Sequence, residues 1–453
     1  INTMKQQIMD LQQRLDDLQI SQGNELKEIK EKQDAVQIDF KDGKPTFRTG
    51  DGLFTMSIRG RAHLDMASYN LGSEDTARLG SSQNLGGASS STGLNSGFNF
   101  RRAELGVEGT FMRDWGYKMN FQWGDSGNEK ASTIKDLYLA YNGIKGISIM
   151  AGAIQTFQTL DDSTSSNDIT FIERASAANL TTSLGAGDGR ISFGARGNTE
   201  NFYGSLFYTT ETVGQANTSN EGSNIVGRAA FAFQPIEKSN VHLGVSGTYA
   251  ADPSANGGTA GSIRFRDRPE LRVDASRLID TGSIAATDAY VVGPELAASY
   301  GPVKLQGEYY YYKVDRVGTL PDPDFNAWYV QASWVITGEA YKYSMEEAAY
   351  KGVKPASPFS LGGGIGAWEL AARYSVADLN YNEGSLGSAA PVGGIRGGKQ
   401  DIITVGLNWY PINNVRAMFE YLDVSTDKIG NSGSYTDLGV DYRAIAARLQ
   451  FAF

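Results

Sequence analysis

The sequence predicts an all-β protein: a 16-stranded antiparallel transmembrane β-barrel preceded by an N-terminal coiled-coil helix. Stretches of about ten residues in which apolar and polar side chains alternate recur from residue 53 to Phe453. In residues 403–409, the odd positions carry Ile, Val, Leu and Trp, and the even positions carry Thr, Gly and Asn. Such a strand suits a barrel wall, because a wall has hydrocarbon on one side and water on the other.

The composition agrees with this fold class and excludes several others. Only 40% of the 453 residues are hydrophobic, while 54 are Gly and 23 are Tyr, which suits thin strands and aromatic girdles. A helical membrane protein is excluded, because the chain has no run of roughly 20 apolar residues. The chain has no Cys, two His and a net charge of −10, so we expect no disulfide, metal or nucleic-acid partner. No motif in the sequence suggests a cofactor.

Residues 1–40 are predicted to form a periplasmic coiled-coil helix. The apolar seam of this helix has alternating spacings of four and three residues and consists of Met4, Ile8, Leu11, Leu15 and Leu18. So short a seam is marginal as an isolated helix, so we expect it to pair with copies of itself. The alternative is a single amphipathic helix that lies against its own barrel. No signal peptide is visible, so we expect that an export signal has been removed or lies outside this sequence.

Residues 41–52 are predicted to be a Gly- and Pro-containing linker, and residues 53–453 the barrel. The alternating pattern places the strands near 54–67, 99–111, 116–123, 134–141, 147–155, 190–197, 202–209, 225–233, 241–249, 289–300, 303–314, 327–337, 366–376, 401–410, 415–424 and 442–453. Short connections alternate with long ones, as expected for periplasmic turns and outer loops. The exception is 338–365, a long segment on the turn side that the pattern does not explain.

Strand parity assigns charged side chains to the lumen. A Lys or Arg at the lipid midplane would cost roughly 2–4 kcal/mol, so the inward orientation is strongly favoured. The residues predicted by parity to line the pore are Arg59, Arg61, His63, Arg102, Lys118, Arg190, Arg196, Arg228, Lys304, Arg373, Arg416 and Arg448. Inward acids, among them Glu104, Glu108 and Glu308, alternatively serve only to compensate these bases. A lumen with this many charges is expected to be filled with water.

The chain resembles the phosphate-selective porin O/P family of Gram-negative outer membranes. The resemblance rests on ordered motifs along 53–453: Phe100-Arg101-Arg102-Ala103, Met112-Arg113-Asp114-Trp115, Thr164-Ser165-Ser166 with Glu173-Arg174, Thr337-Gly338-Glu339, Lys354-Pro355, Gly366-Ala367-Trp368-Glu369-Leu370 and Gly406-Leu407-Asn408-Trp409-Tyr410. It implies a homotrimer of 16-stranded channels whose third and fifth outer loops fold inward. It also implies that Phe453 is a tag read by the outer-membrane assembly machinery.

The resemblance further implies an arginine ladder that leads anions toward the constriction. Arg101 and Arg102 match this ladder, and a basic run in the fifth loop is loosely similar to it: Arg264, Arg266, Arg268 and Arg272. Arg101 thereby joins the predicted pore-lining residues.

The third loop departs from the family's basic constriction. Across 156–189 it carries five acids and one base, namely Asp161, Asp162, Asp168, Glu173, Asp188 and Arg174. Fixed negative charge in a narrow passage disfavours anions, so we expect weak selectivity without a high-affinity phosphate site. Alternatively, Asp161 and Asp162 point to solvent, bind a divalent cation or accept bonds from the loop's own amides.

The function predicted from these features is that of an outer-membrane porin for passive diffusion of small hydrophilic solutes and ions. Its expected surroundings are outer-membrane lipid and lipopolysaccharide of a Gram-negative bacterium, with the N-terminal helix in the periplasm. An alternative is a structural protein that links the membrane to the cell wall through its coiled coil. An enzyme is not expected, because two histidines leave little choice of general base.

Overall fold

The computed structural model describes residues 2–34, 36–41, 43–79, 93–124, 133–213, 221–253, 261–431, 433 and 435–453. In chain order the elements are α1 (Asn2–Asp34), β1 (Gln37–Lys41), β2 (Lys44–Arg48), β3 (Phe54–Leu71), α2 (Ser73–Leu79), β4 (Gly97–Phe111), β5 (Trp115–Gln122), β6 (Thr133–Ile144), β7 (Ile147–Ala153), α3 (Leu160–Ser163), α4 (Ser176–Ser183), β8 (Arg190–Asn198), β9 (Phe202–Thr212), β10 (Ser223–Phe233), β11 (Ser239–Asp252), β12 (Ser262–Ile263), β13 (Arg266–Asp267), β14 (Ile279–Asp280), β15 (Ile284–Tyr300), β16 (Val303–Arg316), β17 (Asp324–Val335), β18 (Lys342–Ser344), β19 (Ala349–Lys351), β20 (Ala367–Tyr381), β21 (Ile395–Ile412), β22 (Val415–Asp427) and β23 (Val440–Ala452).

Sixteen of these strands form one closed antiparallel barrel, as the sequence predicts. The wall contains every strand except the short β1, β2, β12, β13, β14, β18 and β19. The barrel closes where β23 pairs with β3, from Tyr442 opposite Leu71 to Ala452 opposite Arg61. Every predicted strand overlaps a wall strand, because the alternation that revealed the strands is a local property.

The wall separates an apolar outer face from a polar inner face. On β21, Ile403 is 53% exposed on the outside, while Thr404 and Asn408 are fully buried on the inside. Among the described residues, no helix is both long enough and apolar enough to cross a membrane.

The N-terminal segment differs from the predicted division into a helix and a linker. Helix α1 ends at Asp34, and β1 and β2 then form a hairpin with Gln37 opposite Arg48. Strand β2 in turn pairs with β3, from Thr46 opposite Ser57 to Arg48 opposite Thr55. Residues 41–52 are therefore not wholly a free linker, because Lys44–Arg48 forms a strand that pairs with β1 and, at residues 46–48, with the barrel strand β3.

Three connections fold into the barrel. The third loop (residues 154–189) carries α3 and α4, and the described part of the fifth loop (residues 261–283) carries β12, β13 and β14. The inserted turn (residues 338–365), whose length the sequence did not explain, forms the β18–β19 hairpin. Apolar side chains of α4, such as Leu180, pack with Tyr310 and Tyr312 of β16 and with Phe265 of the fifth loop. The barrel interior is thus partly a packed core.

Candidate functional site

The third loop is fastened to the barrel wall at its first helix. The backbone N–H groups of Leu160 and Asp161 donate to the Glu308 carboxylate at 2.7 and 3.2 Å. Tyr310 and Tyr329 also donate to Glu308, at 2.9 and 2.5 Å. Four donors therefore converge on one buried carboxylate, which fixes where the loop crosses the lumen.

A second attachment lies at Glu173, near the end of the irregular part of the loop. Its carboxylate accepts from Arg101 at 2.8 Å and from Arg448 at 3.0 Å, and Arg272 of the fifth loop lies 3.3 Å away. Arg373 donates to the backbone carbonyl of Glu173 at 3.0 Å. Wall arginines therefore hold the loop itself, rather than facing open water.

The structure explains why both Arg101 and Arg102 point inward, although neighbouring strand residues normally alternate. The register of β3 against β4 shifts between His63 and Leu64, which pair with Arg102 and Phe100. Arg101 is the extra residue of this β-bulge, and both arginines are buried. A similar shift on β6 turns Lys135 inward beside Asp136, and sequence parity missed this lysine.

The acids of the third loop are bonded within the protein. The Asp161 carboxylate accepts from the Ala175 amide at 3.1 Å. Asp162 accepts from Gln155 at 3.0 Å and lies 3.7 Å from Arg174. Asp161 and Asp162 are only 3% and 8% exposed, so of the three alternatives raised above, the amide-bonding one fits Asp161.

Asp188 is the loop carboxylate that lies most in water. Its side chain is 46% exposed and lies 3.2 Å from Lys135.

Burial raises the pKa of both Asp162 and Asp168, because desolvation penalises a carboxylate. The five acids therefore contribute less negative field to the passage than their number predicts.

The inserted turn is held by a buried ion pair of the wall. Arg228 contacts Glu295 at 2.9 Å, and both side chains are fully buried. The same guanidinium donates to the carbonyls of Glu347 and Ala348 at 2.9 and 2.8 Å, and to Ser163 of the third loop. One wall residue thus joins the inserted turn to the third loop.

The predicted pore-lining residues fall into two groups. Those that lie against the third loop or the inserted turn, and are largely shielded, are Arg61, His63, Arg101, Arg102, Arg228, Lys304, Arg373, Arg416 and Arg448. The half-buried group consists of Arg59, Lys118, Arg190 and Arg196. Arg190 in this group donates to the Ala186 carbonyl of the third loop at 2.8 Å, and Arg196 lies 3.7 Å from Glu346 of the inserted turn. His63 bonds to Asn167 and His242 to Tyr343, so both act as packed polar side chains.

The fifth-loop bases are also engaged. Arg264 donates to Asp280 at 2.8 Å, Arg268 donates to the Ala275 carbonyl at 3.3 Å, and Arg272 lies beside Glu173. Arg266 is half-buried. The run supports loop packing rather than forming a row of free cations.

The lumen charges that remain partly exposed lie on the wall from β3 to β8. The exposed fractions of the Arg59, Lys118 and Arg196 side chains are 24%, 19% and 18%. Lys44 of β2 joins them at 32%, although sequence analysis assigned it to the linker. These four side chains are therefore in partial contact with water.

A family model described as phosphate-selective porin O and P matches residues 77–453. The chain belongs to this family. It is an outer-membrane porin, as the sequence predicts. Porin O of Pseudomonas aeruginosa is 26% identical over 376 residues, which cover 78% of this chain and 82% of that protein. An uncharacterized protein of Caulobacter vibrioides is 26% identical over 389 residues, which cover 84% and 70% of the two chains.

Solved structures share the fold of this porin. An anion-selective porin from Comamonas acidovorans is 15% identical with a TM-score of 0.52, over 88% of this chain and 100% of that one. OmpT, an outer membrane protein of Vibrio cholerae, is 11% identical with a TM-score of 0.51, over 88% and 98%. At these identities the likeness concerns the barrel alone.

Proposed function

We propose that this porin passes small anions somewhat more readily than cations, as a homotrimer whose α1 helices extend into the periplasm. The observation that carries the selectivity is the charge of the water-facing wall. Four partly exposed bases, Lys44, Arg59, Lys118 and Arg196, form ion pairs with three acids, Glu108, Asp136 and Glu346, so these ion-paired groups carry one net positive charge. The exposed Asp188 is paired with Lys135 and does not change this balance. So small an excess gives a mild preference rather than strict selection.

The pairing of the loop acids supports the sign of this preference. Asp161, Asp162 and Glu173 are buried and bonded to protein donors, so they are shielded from a passing ion. Apart from Asp188, the negative loop charge that was expected to disfavour anions is therefore largely internal. No high-affinity phosphate site is proposed, and micromolar phosphate is expected to leave the chloride current unblocked.

The selectivity is tested by neutralising the exposed wall bases together, as Arg59→Gln, Lys118→Gln and Arg196→Gln. In a planar bilayer with a potassium chloride gradient, the reversal potential is expected to move toward cation preference. The matched control is Arg443→Gln, whose side chain is 67% exposed near the beginning of β23, away from the lumen. An unchanged reversal potential in the triple variant would contradict the proposal.

The solvent-exposed apolar seam of α1 supports the proposal of a trimer. Ile8, Leu11, Leu15 and Leu18 are each 53–65% exposed in the single chain, which favours burial between copies. A coiled coil of three such helices would lie below the barrel, on the side of the short turns.

Deleting residues 1–34 is expected to leave a folded, conducting barrel, because the cut spares the β1–β2 hairpin. Conductance of the purified protein measures whether the barrel still forms a channel, and chemical cross-linking measures whether the trimer persists. Loss of the cross-linked trimer would assign assembly to the helices rather than to the barrel walls. If the intact protein passed no current, the alternative of a structural link to the cell wall would replace the channel proposal.

A further inference from the structure

The hairpin that carries α1 pairs with the barrel wall at the short-turn end of the barrel. The pairing of β23 with β3 ends at Gly60, which exchanges two backbone hydrogen bonds of 3.0 Å with Phe453. Directly beyond this point, β2 pairs with residues 55–57 of β3. The Thr46 and Ser57 hydroxyls lie 2.8 Å apart across this pairing. β2 and β23 therefore pair in succession with the same edge of β3.

This placement brings Lys44 into the lumen. Its ammonium group forms an ion pair with Glu108 of β4, an inward-facing residue. The other oxygen of Glu108 accepts from Arg59 at 2.6 Å. Both Lys44 and Glu108 are about one-third exposed, so the group is in contact with water.

Two bases thus share one carboxylate at the periplasmic side of the channel. Without Lys44, Arg59 and Glu108 would form a neutral pair, whereas with Lys44 the group carries one net positive charge. Charge in a narrow water-filled passage acts on every ion that passes, because low-dielectric walls focus the field.

We propose that Lys44 is a selectivity-determining residue of the channel, and that the N-terminal arm supplies it. This inference deepens the proposed anion preference, since it names a residue that contributes to it from outside the barrel strands. Selectivity then depends on whether the β1–β2 hairpin is docked, and not on helix α1 itself.

The decisive experiment places a single cysteine at position 44. A thiol reagent will modify only this residue, because the sequence contains no other Cys. The variant Lys44→Cys is reconstituted, and its reversal potential is measured before and after reaction with a cationic or an anionic thiol reagent. The cationic reagent is expected to raise the ratio of chloride to potassium permeability by about twofold, and the anionic reagent to lower it as much. The sign of this response does not depend on the absolute preference, so its failure is distinct from failure of the proposed function.

Two further measurements separate a field effect from a structural one. The shifts should shrink in molar salt, where the Debye length falls to about 3 Å, and Lys44→Arg should retain the unmodified selectivity. The control is Lys238→Cys, on an exposed turn between β10 and β11. Equal shifts with both reagents, shifts that persist in molar salt, or no shift would each overturn the role of Lys44.

Discussion

Replacing Glu173 with alanine is expected to detach the third loop from the barrel wall and to raise the single-channel conductance. The carboxylate is 2% exposed and is shared by Arg101, Arg448 and Arg272. Removing one partner of a buried charge cluster leaves the others uncompensated, which typically costs about 3–5 kcal/mol. Single-channel recordings of the variant should show larger and noisier currents.

The control for this prediction is Asp188→Ala. Asp188 lies in the same loop, but its side chain is 46% exposed and it bonds only Lys135 among the described residues. Its loss should leave the conductance nearly unchanged. If Glu173→Ala also kept the ordinary conductance, the loop would be held by its apolar contacts and by Glu308 instead.

The Glu173 attachment should also survive acidification. Burial raises the pKa of Glu173, but Arg101, Arg102 and Arg448 lower it more, so it lies well below its ordinary value of 4.5. A carboxylate with a lowered folded pKa stabilises the protein above its unfolded pKa, and this contribution is lost as the pH falls through the folded value. The carboxylate is therefore expected to stay ionised, and the attachment to persist, at pH values below its ordinary pKa of 4.5.

Replacing Arg228 with methionine is expected to release the inserted turn. The change leaves Glu295 buried without its guanidinium partner and leaves the carbonyls of Glu347 and Ala348 without their donor. The expected loss of stability is again about 3–5 kcal/mol, measured by thermal unfolding of the detergent-solubilised barrel. The freed turn should become sensitive to protease and the conductance should rise.

A second variant separates the ion pair from the carbonyl bonds. The double change Arg228→Met with Glu295→Met removes both charges and is expected to recover much of the stability, because no buried charge stays unpaired. The turn should nevertheless remain protease-sensitive, since its carbonyls still lack a donor. A double variant with a protected turn would show that Tyr343 and its neighbours, not Arg228, hold the segment.

The sequence by itself determined the barrel, the strand count and the family. The physical reason is that a strand between lipid and water must alternate within its own few residues, as 403–409 do. Parity also oriented charged side chains such as Arg59 and Lys118, because a charge facing lipid is costly.

Parity was insufficient where the register shifts. The bulge at Arg101 and the shift beside Lys135 each turn an additional base inward, and a bulge depends on the partner strand as well as on the residues themselves. The β1–β2 hairpin was interpreted as a linker for a similar reason. Its edge pairs with β3, and Lys44 reaches Glu108, 64 residues further along the chain.

Only the tertiary structure decided which charges face the passage. The acids of the third loop are ordinary carboxylates in the sequence, yet Glu173 is covered by Arg448, 275 residues away. Such long-range pairing neutralises carboxylates that a count of acids and bases along residues 156–189 treats as unpaired charges. The electric field in the lumen depends on which charged groups remain unpaired and hydrated. Contacts between distant segments, rather than composition, determine which groups these are.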